Sequence, residues 1–216
     1  MKKIYFSICA IVLSATTFSQ KNNIQKVVEN NPSKFHWYTY NDDVSKATPF
    51  WTDDFSNPLN WIIDHDPTAC LLDWQIGQNS CTGFYPISDI QSTTASNGWA
   101  MIDSDAYGGQ TGGTEVEDCW LTMANPIDLN GYPYVTLEFE TQYRSYNSEQ
   151  CYIVVGIGDG SGNVTWPDLT PTTDISNMSN VFEVFQSFST GDATTNPQKI
   201  KVNIGSALVN LTPTQL

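Results

Sequence analysis

The sequence predicts an all-β fold, a jelly-roll β-sandwich, on three observations. Short apolar or alternating runs, separated by Gly, Pro, Asn and Asp, recur from residue 49 onward, and this is the pattern of strands joined by turns. No stretch of the sequence keeps an amphipathic helical period for more than two turns. The chain is also long enough for one large β-sandwich domain. We therefore expect antiparallel sheets packed around a single core.

The first residues have the composition of an export signal. Two lysines precede an apolar run over residues 4–15, and Thr17 and Ser19 provide the small residues that signal peptidase requires. The run is shorter than the ~20 residues of a membrane-spanning helix. We predict a signal peptide over residues 1–19 and a product that is secreted or held at the cell surface.

Residues 20–48 are polar and mixed in charge, and they form the predicted leader or linker. One short helix is expected near residues 24–29, and the alternating run KFHWYTY predicts an accessory strand over residues 34–40. The predicted β-sandwich domain spans residues 49–216.

Nine runs in this domain have the length and composition of strands. They are FWTDDF (50–55), NWIID (60–64), LLDWQIG (71–77), GWAMID (98–103), CWLTMA (119–124), YVTLEFETQYR (134–144), CYIVVGIG (151–158), VFEVFQSF (181–188) and KIKVNIG (199–205). In the run 134–144, the odd-numbered residues from Val135 share one face and the even-numbered residues share the other, which predicts one buried face and one wet face. The run 151–158 is apolar on both faces, which predicts a central strand.

The charge of the chain excludes two classes of partner. The formal net charge is −14, and removal of the two lysines in the signal peptide takes it to −16. Downstream of residue 46 the cationic side chains are Arg144, Lys199 and Lys201. Nucleic acids and anionic membranes are bound by clustered Lys and Arg, so neither is an expected partner. We expect Arg144 to pair with Glu138 or Glu140.

The stretch IDSDAYGGQTGGTEVEDCW, residues 102–120, contains five carboxylates and no cation. A retaining glycosidase would need two carboxylates about 5–5.5 Å apart in one cleft. Glu115 and Glu117 have the spacing of one strand face, but the next position on that face is Cys119. A solvated loop edge before a strand explains the pair better, so we do not expect an enzyme.

Four segments, in this order, resemble the choice-of-anchor J family, which is close to cleaved-adhesin modules and related to MAM-like jelly rolls. They are FWTDDFSNPLNW, WAMIDSDAYGG, CWLTMANPIDLNGYPYVTLEFETQYRSY and CYIVVGIGDGSGNVTW. The resemblance covers residues 49–205. It implies an extracellular, non-catalytic β-sandwich with structural calcium, carried on a larger protein that leaves the cell through a type IX secretion system.

The sequence departs from this family at its end. Family members close with an aromatic-rich strand that carries a Trp and an Asp-Asp pair, and nothing after Gly205 matches it. We therefore expect a sandwich that lacks its last strand or strands through C-terminal truncation. Expressed alone, residues 20–216 should then aggregate or unfold in part, because the strand beside the gap has unpaired backbone groups.

Calcium is the predicted cofactor. It binds six to eight oxygens from flexible acidic loops. Asp103 and Asp105 precede glycines, Asp118 precedes the next strand, and Asp53 and Asp54 lie on the opening strand, where the family resemblance also implies ligands. The competing interpretation is that Asp is simply common in exported β-loops.

Four cysteines follow the signal peptide: Cys70, Cys81, Cys119 and Cys151. An even number in an exported protein predicts two disulfides, with three possible connectivities. Proximity in the sequence favours Cys70–Cys81, which leaves Cys119–Cys151. A zinc site is less favoured, because the chain has no C-x-x-C pair and only two histidines.

Most tryptophans are expected in the core. Trp61, Trp74, Trp99 and Trp120 lie within or beside predicted strands. Trp166 lies in a loop and is the candidate ligand-binding residue, because an exposed aromatic face can stack on a sugar ring.

These observations predict an exported, non-catalytic binding or adhesion module, stabilised by calcium and forming the N-terminal part of a larger protein. The expected partners are an extracellular protein or glycan and downstream domains of the same polypeptide. The alternative function is a carbohydrate-binding module that serves an enzyme domain encoded downstream.

Overall fold

The computed structural model describes residues 9–15, 48–109, 117–129, 135–146, 149–158, 163–167, 169 and 173–208. Strands dominate these residues, and the helical segments are single turns, which confirms the all-β class. The strands are β1 (Cys9–Ala15), β2 (Pro49–Asp53), β3 (Trp61–His65), β4 (Gln75–Gly77), β5 (Trp99–Met101), β6 (Cys119–Met123), β7 (Val135–Thr141), β8 (Cys151–Val154), β9 (Ile157–Gly158), β10 (Val164–Thr165), β11 (Val181–Val184) and β12 (Gln198–Asn203). The helical turns are Pro58–Asn60, Asp105–Gly109, Ile175–Asn177 and Gly205–Leu208.

Each of the nine predicted runs overlaps a strand, and most of these strands are shorter than the run. Two of them end where the backbone turns. After β2 and β11, Phe55 and Phe185 take positive φ angles of 60° and 66°, which a strand cannot accommodate. The predicted helix at 24–29 and the accessory strand at 34–40 lie outside the described residues.

The largest sheet has the strand order β12–β7–β1–β2, and every neighbouring pair is antiparallel. The predicted inward face of β7 is confirmed, since Val135, Leu137, Phe139 and Thr141 are all buried. Glu140, predicted on the wet face, is also buried. Its carboxylate accepts hydrogen bonds from the backbone N (2.6 Å) and hydroxyl (3.0 Å) of Thr93, which compensate for the loss of water.

The remaining strands form the antiparallel pairs β3–β6, β4–β5, β8–β11 and β9–β10. One hydrophobic core joins the large sheet to the β3–β6, β4–β5 and β8–β11 pairs. Leu137 and Phe139 of β7 pack in the same cluster as Trp61 of β3, Ile153 of β8 and Phe182 of β11. The run 151–158, predicted to be a central strand, is instead split between β8 and β9, and within the described residues β8 pairs with β11 alone.

The sequence analysis did not predict β1. Residues 9–15 belong to the apolar run assigned to the signal peptide, and they form an inner strand between β2 and β7. A short, uncharged aliphatic segment suits a signal sequence as well as a strand, so local pattern could not reveal this pairing. None of the helices in the described part of the chain is long and apolar enough to cross a membrane.

Candidate functional site

The opening aspartates hold the turn after β2. Asp53 is buried, and its oxygens accept hydrogen bonds from the backbone N of Phe55 (2.8 Å), the indole Nε1 of Trp61 (3.0 Å) and the amide Nδ2 of Asn60 (2.5 Å). Asp54 accepts from the backbone N of Ser56 at 3.1 Å. Both carboxylates therefore accept hydrogen bonds from the backbone of the turn that follows β2.

The second acidic pair holds a different loop, residues 82–85. Asp103 Oδ2 accepts from the backbone N of Thr82 (2.6 Å) and of Gly83 (3.0 Å), and Asp105 accepts from the backbone N of Tyr85. Gly83 is required by this close approach: a Cβ there would lie 2.6 Å from the backbone N of Ala106 and the Cβ of Asp105.

Asp118, the fifth predicted calcium ligand, lies beside Cys70. Its backbone N donates to Cys70 Sγ at 3.3 Å, and its carbonyl accepts from the backbone N of Asp66 at 2.8 Å. The five aspartates thus have three separate sets of partners. Among the described residues, no three His, Cys, Asp or Glu side chains form a group that could hold a metal ion. A calcium ion at any of these aspartates would need further ligands.

Glu117 is one of the two carboxylates of the catalytic alternative that the sequence disfavours. Glu117 is 1% exposed, and the hydroxyl of Ser104 donates to its carboxylate, so it lies in the interior rather than in a cleft. Glu115 lies outside the described residues. A small cavity of about 30 Å³ is lined by Cys81, Trp99 and Gln142, among other residues.

Three large aromatic side chains lie together on the surface, and we call Phe84, Tyr85 and Tyr146 the aromatic cluster. They are 62%, 53% and 64% exposed. The rings of Tyr85 and Tyr146 are nearly parallel, with centroids 5.9 Å apart and 16° between the planes. Phe84 meets Tyr85 edge to face at 4.9 Å.

Both segments that carry the aromatic cluster are anchored. The acidic pair Asp103 and Asp105 holds the loop of Phe84 and Tyr85, as described above. On the other side, the backbone N of Tyr146 donates to Glu149 Oε2 at 3.1 Å. The preceding residue, Ser145, is buried and its backbone exchanges hydrogen bonds with residues 191 and 192. The rings are therefore presented from a fixed backbone.

Arg144 joins the two segments. Its guanidinium Nη2 donates to the carbonyl of Tyr85. The expected pairing with Glu138 or Glu140 is wrong, because Glu138 binds Lys199 Nζ (3.1 Å) and Lys201 Nζ (3.0 Å) and Glu140 points to residue 93. The one cation in this part of the sequence thus lies at the aromatic cluster.

The predicted ligand residue Trp166 is 48% exposed. Its ring packs over the backbone of Gly156, where a Cβ would approach the ring atoms Cη2 and Cζ3 to 2.8 Å. Trp61, Trp74 and Trp99 are buried, as expected of core residues. Trp120 is partly buried and packs against the small cluster of Tyr152 and Val181.

All four cysteines are thiols in this structure. Cys70 lies at the backbone of Asp118. Burial raises the pKa of the Cys119 thiol, and the nearby Cys70 raises it further. Cys81 packs instead beside Trp99 and its cluster. The geometry therefore favours Cys70–Cys119 as a pair over Cys70–Cys81.

The sequence analysis did not identify the aromatic cluster. Phe84 and Tyr85 lie in CTGFYPIS, which has no strand periodicity, and Tyr146 follows the end of β7. The available signal was the occurrence of large aromatic residues beside Gly, Pro and Ser, in segments too irregular to bury them. The distance in sequence between residues 85 and 146 concealed their proximity.

Searches against protein-family models, curated proteins and solved structures find no match for this chain.

Proposed function

We propose that the chain is an exported, non-catalytic binding or adhesion module, part of a larger cell-surface or secreted protein, and that the aromatic cluster contacts its ligand. The observation that carries this proposal is the exposure of three neighbouring rings on anchored segments. Large apolar groups that cluster on a soluble surface mark interaction sites. Tyrosine is also enriched where proteins contact ligands, because it offers area at a low entropic cost.

The fold that we propose is a jelly-roll β-sandwich similar to choice-of-anchor J domains. The antiparallel four-stranded sheet and the core that it shares with the β3–β6 and β8–β11 pairs support this proposal. The proposed partner is an extracellular protein or glycan. Calcium remains the proposed stabilising ion, and its site would need oxygen ligands beyond the aspartates described above.

A carbohydrate-binding module for a downstream enzyme domain is the second candidate. The nearly parallel rings of Tyr85 and Tyr146 favour it, because such a pair offers two faces for stacking on sugar rings. Arg144, beside them, adds a donor for hydroxyl or carboxylate groups.

A glycan array and a panel of extracellular matrix proteins test both candidates. Tyr146→Ala and Tyr85→Ala should each weaken binding at least tenfold, since aromatic residues at the centre of an interface contribute about 2 kcal/mol or more. Leu59→Ala is the matched control, because Leu59 is 82% exposed and lies outside the aromatic cluster.

The results separate the alternatives. Tight binding to one polysaccharide supports the carbohydrate module, and binding to a protein without a glycan supports adhesion. Loss of binding in Trp166→Ala, with no effect of the two tyrosine variants, would move the site to Trp166. Unchanged binding in all three variants would contradict the proposal.

A further inference from the structure

Carboxylates lie at the backbone of both tyrosines of the aromatic cluster. Asp105 accepts a hydrogen bond from the backbone N of Tyr85, and Glu149 Oε2 accepts one from the backbone N of Tyr146 at 3.1 Å. Asp103 binds the backbone of the loop that carries Tyr85. Each tyrosine ring therefore has an acidic group close to the backbone that presents it.

These three carboxylates leave the surroundings of the rings negative. The one cation beside them is Arg144, which donates through Nη2 to the carbonyl of Tyr85. The two other cations downstream of residue 46, Lys199 and Lys201, both bind Glu138 on β7. One guanidinium does not balance three carboxylates, and the chain as a whole carries a formal net charge of −14. Charge complementarity therefore favours a cationic ligand.

The hydrogen bonds of Asp103 show why a cation is favoured over a neutral glycan. Its two oxygens accept from the backbone N atoms of Thr82, Gly83 and Ala106. These bonds use most of the acceptor positions of the carboxylate, but they leave its charge in place. A sugar hydroxyl needs a free and well-aligned acceptor, whereas a cation is attracted by the charge itself, over several ångströms.

The rings provide the second element of a cation site. The faces of Tyr and Phe attract the charged groups of Arg and Lys through the quadrupole of the ring. Tyr85 and Tyr146 are 53% and 64% exposed and nearly parallel, and Phe84 meets Tyr85 edge to face. An arginine suits this surface, because its planar guanidinium stacks on aromatic faces and its methylene groups cover apolar area.

We propose that the aromatic cluster binds a basic, arginine-bearing segment of an extracellular protein, with guanidinium groups stacked on the rings of Tyr85 and Tyr146. The carboxylates of Asp105 and Glu149 supply the attraction between the charges. This inference rests on the proposed function, which places the ligand at the aromatic cluster, and it names the chemistry of that ligand. Arg144, bound to the carbonyl of Tyr85, reduces the negative charge of the surface without cancelling it.

The test uses the full chain and a synthetic peptide in which arginine and glycine alternate. The matched control peptide has citrulline in place of arginine, which keeps the shape of the side chain and removes its charge. Isothermal titration calorimetry should find the arginine peptide bound at least tenfold more tightly. An increase from about 50 mM to about 500 mM salt should weaken this binding roughly tenfold, because it shortens the Debye length to a few ångströms.

Glu149→Gln tests whether the charge acts at the aromatic cluster. The variant removes the charge and keeps a side-chain oxygen that can accept from the backbone N of Tyr146. It should weaken binding of the arginine peptide about threefold, as expected for the loss of one exposed charge pair. The matched control is Asp174→Asn, because Asp174 also accepts from a backbone N, that of Ser176 at 3.0 Å, in a turn outside the aromatic cluster. This control should bind as the wild type does.

Two variants of Tyr146 test the contact with the ring face. Tyr146→Phe keeps the ring and should bind the arginine peptide with nearly unchanged affinity. Tyr146→Leu keeps an apolar side chain without a ring and should weaken binding about two- to fivefold. Both changes are made at an exposed position, and equal Tm values would show that the fold is intact.

Several results would overturn the proposal. They are the absence of binding by the arginine peptide, equal affinity for the citrulline peptide, and affinity that does not change with salt. Equal affinity of the Leu and Phe variants would remove the ring contact. Binding that falls equally in Glu149→Gln and Asp174→Asn would show attraction to the whole acidic chain instead of to this site.

Failure of the proposed function gives a different result. A neutral glycan that binds independently of salt, and is lost in Tyr85→Ala and Tyr146→Ala, would keep the aromatic cluster as the ligand site and overturn only the basic ligand. An arginine peptide and array ligands that all bind these two variants as well as the wild type would overturn the ligand site itself.

Discussion

At the residue scale, several acidic side chains in this protein anchor turns, loops and neighbouring strands. The buried Asp53 caps a turn, the buried Glu140 binds a loop threonine, and Glu138 bridges two lysines of β12. Burial raises the pKa of Glu138, but the hydrogen bonds from Lys201 and Lys199, with the charges of these lysines, outweigh burial and hold the pKa below its usual range. The ionised form is thus favoured in the folded state.

This shift predicts a pH-dependent contribution to stability. Because the folded pKa is lowered, the stabilisation is fully present above the unfolded pKa and is lost as the pH falls through the folded value. Glu138→Gln should lower the free energy of unfolding by about 1 kcal/mol at pH 7, and by less at pH 3. Denaturant titrations of the full chain and of the variant at both pH values measure this change in the free energy of unfolding.

The matched control is Glu183→Gln, because Glu183 binds the amide of Gln186 rather than a lysine. A difference between wild type and Glu138→Gln that is equal at both pH values would contradict the assigned lysine contacts.

At the scale of elements, the β3–β6 pair brings two distant cysteines together. His65 pairs with Cys119, and the turn after β3 places Cys70 at the backbone of Asp118. The sequence alone favoured Cys70–Cys81, because a short separation is the only proximity that a sequence records. The structure instead places the sulfur of Cys70 3.3 Å from the backbone N of Asp118, the residue that precedes Cys119.

We predict a Cys70–Cys119 disulfide when the protein is oxidised, formed by thiol–disulfide exchange with a disulfide oxidant. Mass mapping without reduction should find this linked peptide. Cys70→Ser and Cys119→Ser should each destabilise by about 2–4 kcal/mol, and the double variant by no more than either one. Cys81→Ser is the control. A Cys70–Cys81 peptide would restore the connectivity favoured by the sequence.

At the scale of the whole molecule, the negative charge of the chain does not by itself indicate a bound calcium ion. The chain carries a net charge of −14, yet the carboxylates of Asp53, Asp54, Asp103 and Asp105 accept hydrogen bonds from N–H donors. A bound calcium should still raise stability: at a tenfold excess over a Kd typical of extracellular modules, the gain is ~1.4 kcal/mol. Thermal melts with calcium and with chelator measure it, and identical curves would remove calcium from the proposal.

Asp103→Asn tests whether the Asp103 carboxylate holds its loop independently of calcium. We expect the variant to be destabilised even in chelator, because Asp103 holds the backbone of residues 82 and 83. The loss should be about 1.5–3 kcal/mol, the range for hydrogen bonds to a charged group. Stability equal to wild type in chelator would show that the loop does not depend on Asp103.

The sequence by itself determined the features that depend on local pattern. Alternation located the nine strand regions and the buried face of β7, and aromatic residues within strands identified core tryptophans such as Trp61 and Trp74. Only the tertiary structure decided what depends on contacts between distant segments. It placed Tyr85 against Tyr146, bound the Asp103 carboxylate to the backbone of Thr82, and inserted residues 9–15 between β2 and β7. The physical reason is that side-chain periodicity reports which face of an element is buried, whereas pairing partners are chosen by packing and hydrogen bonding across the whole chain.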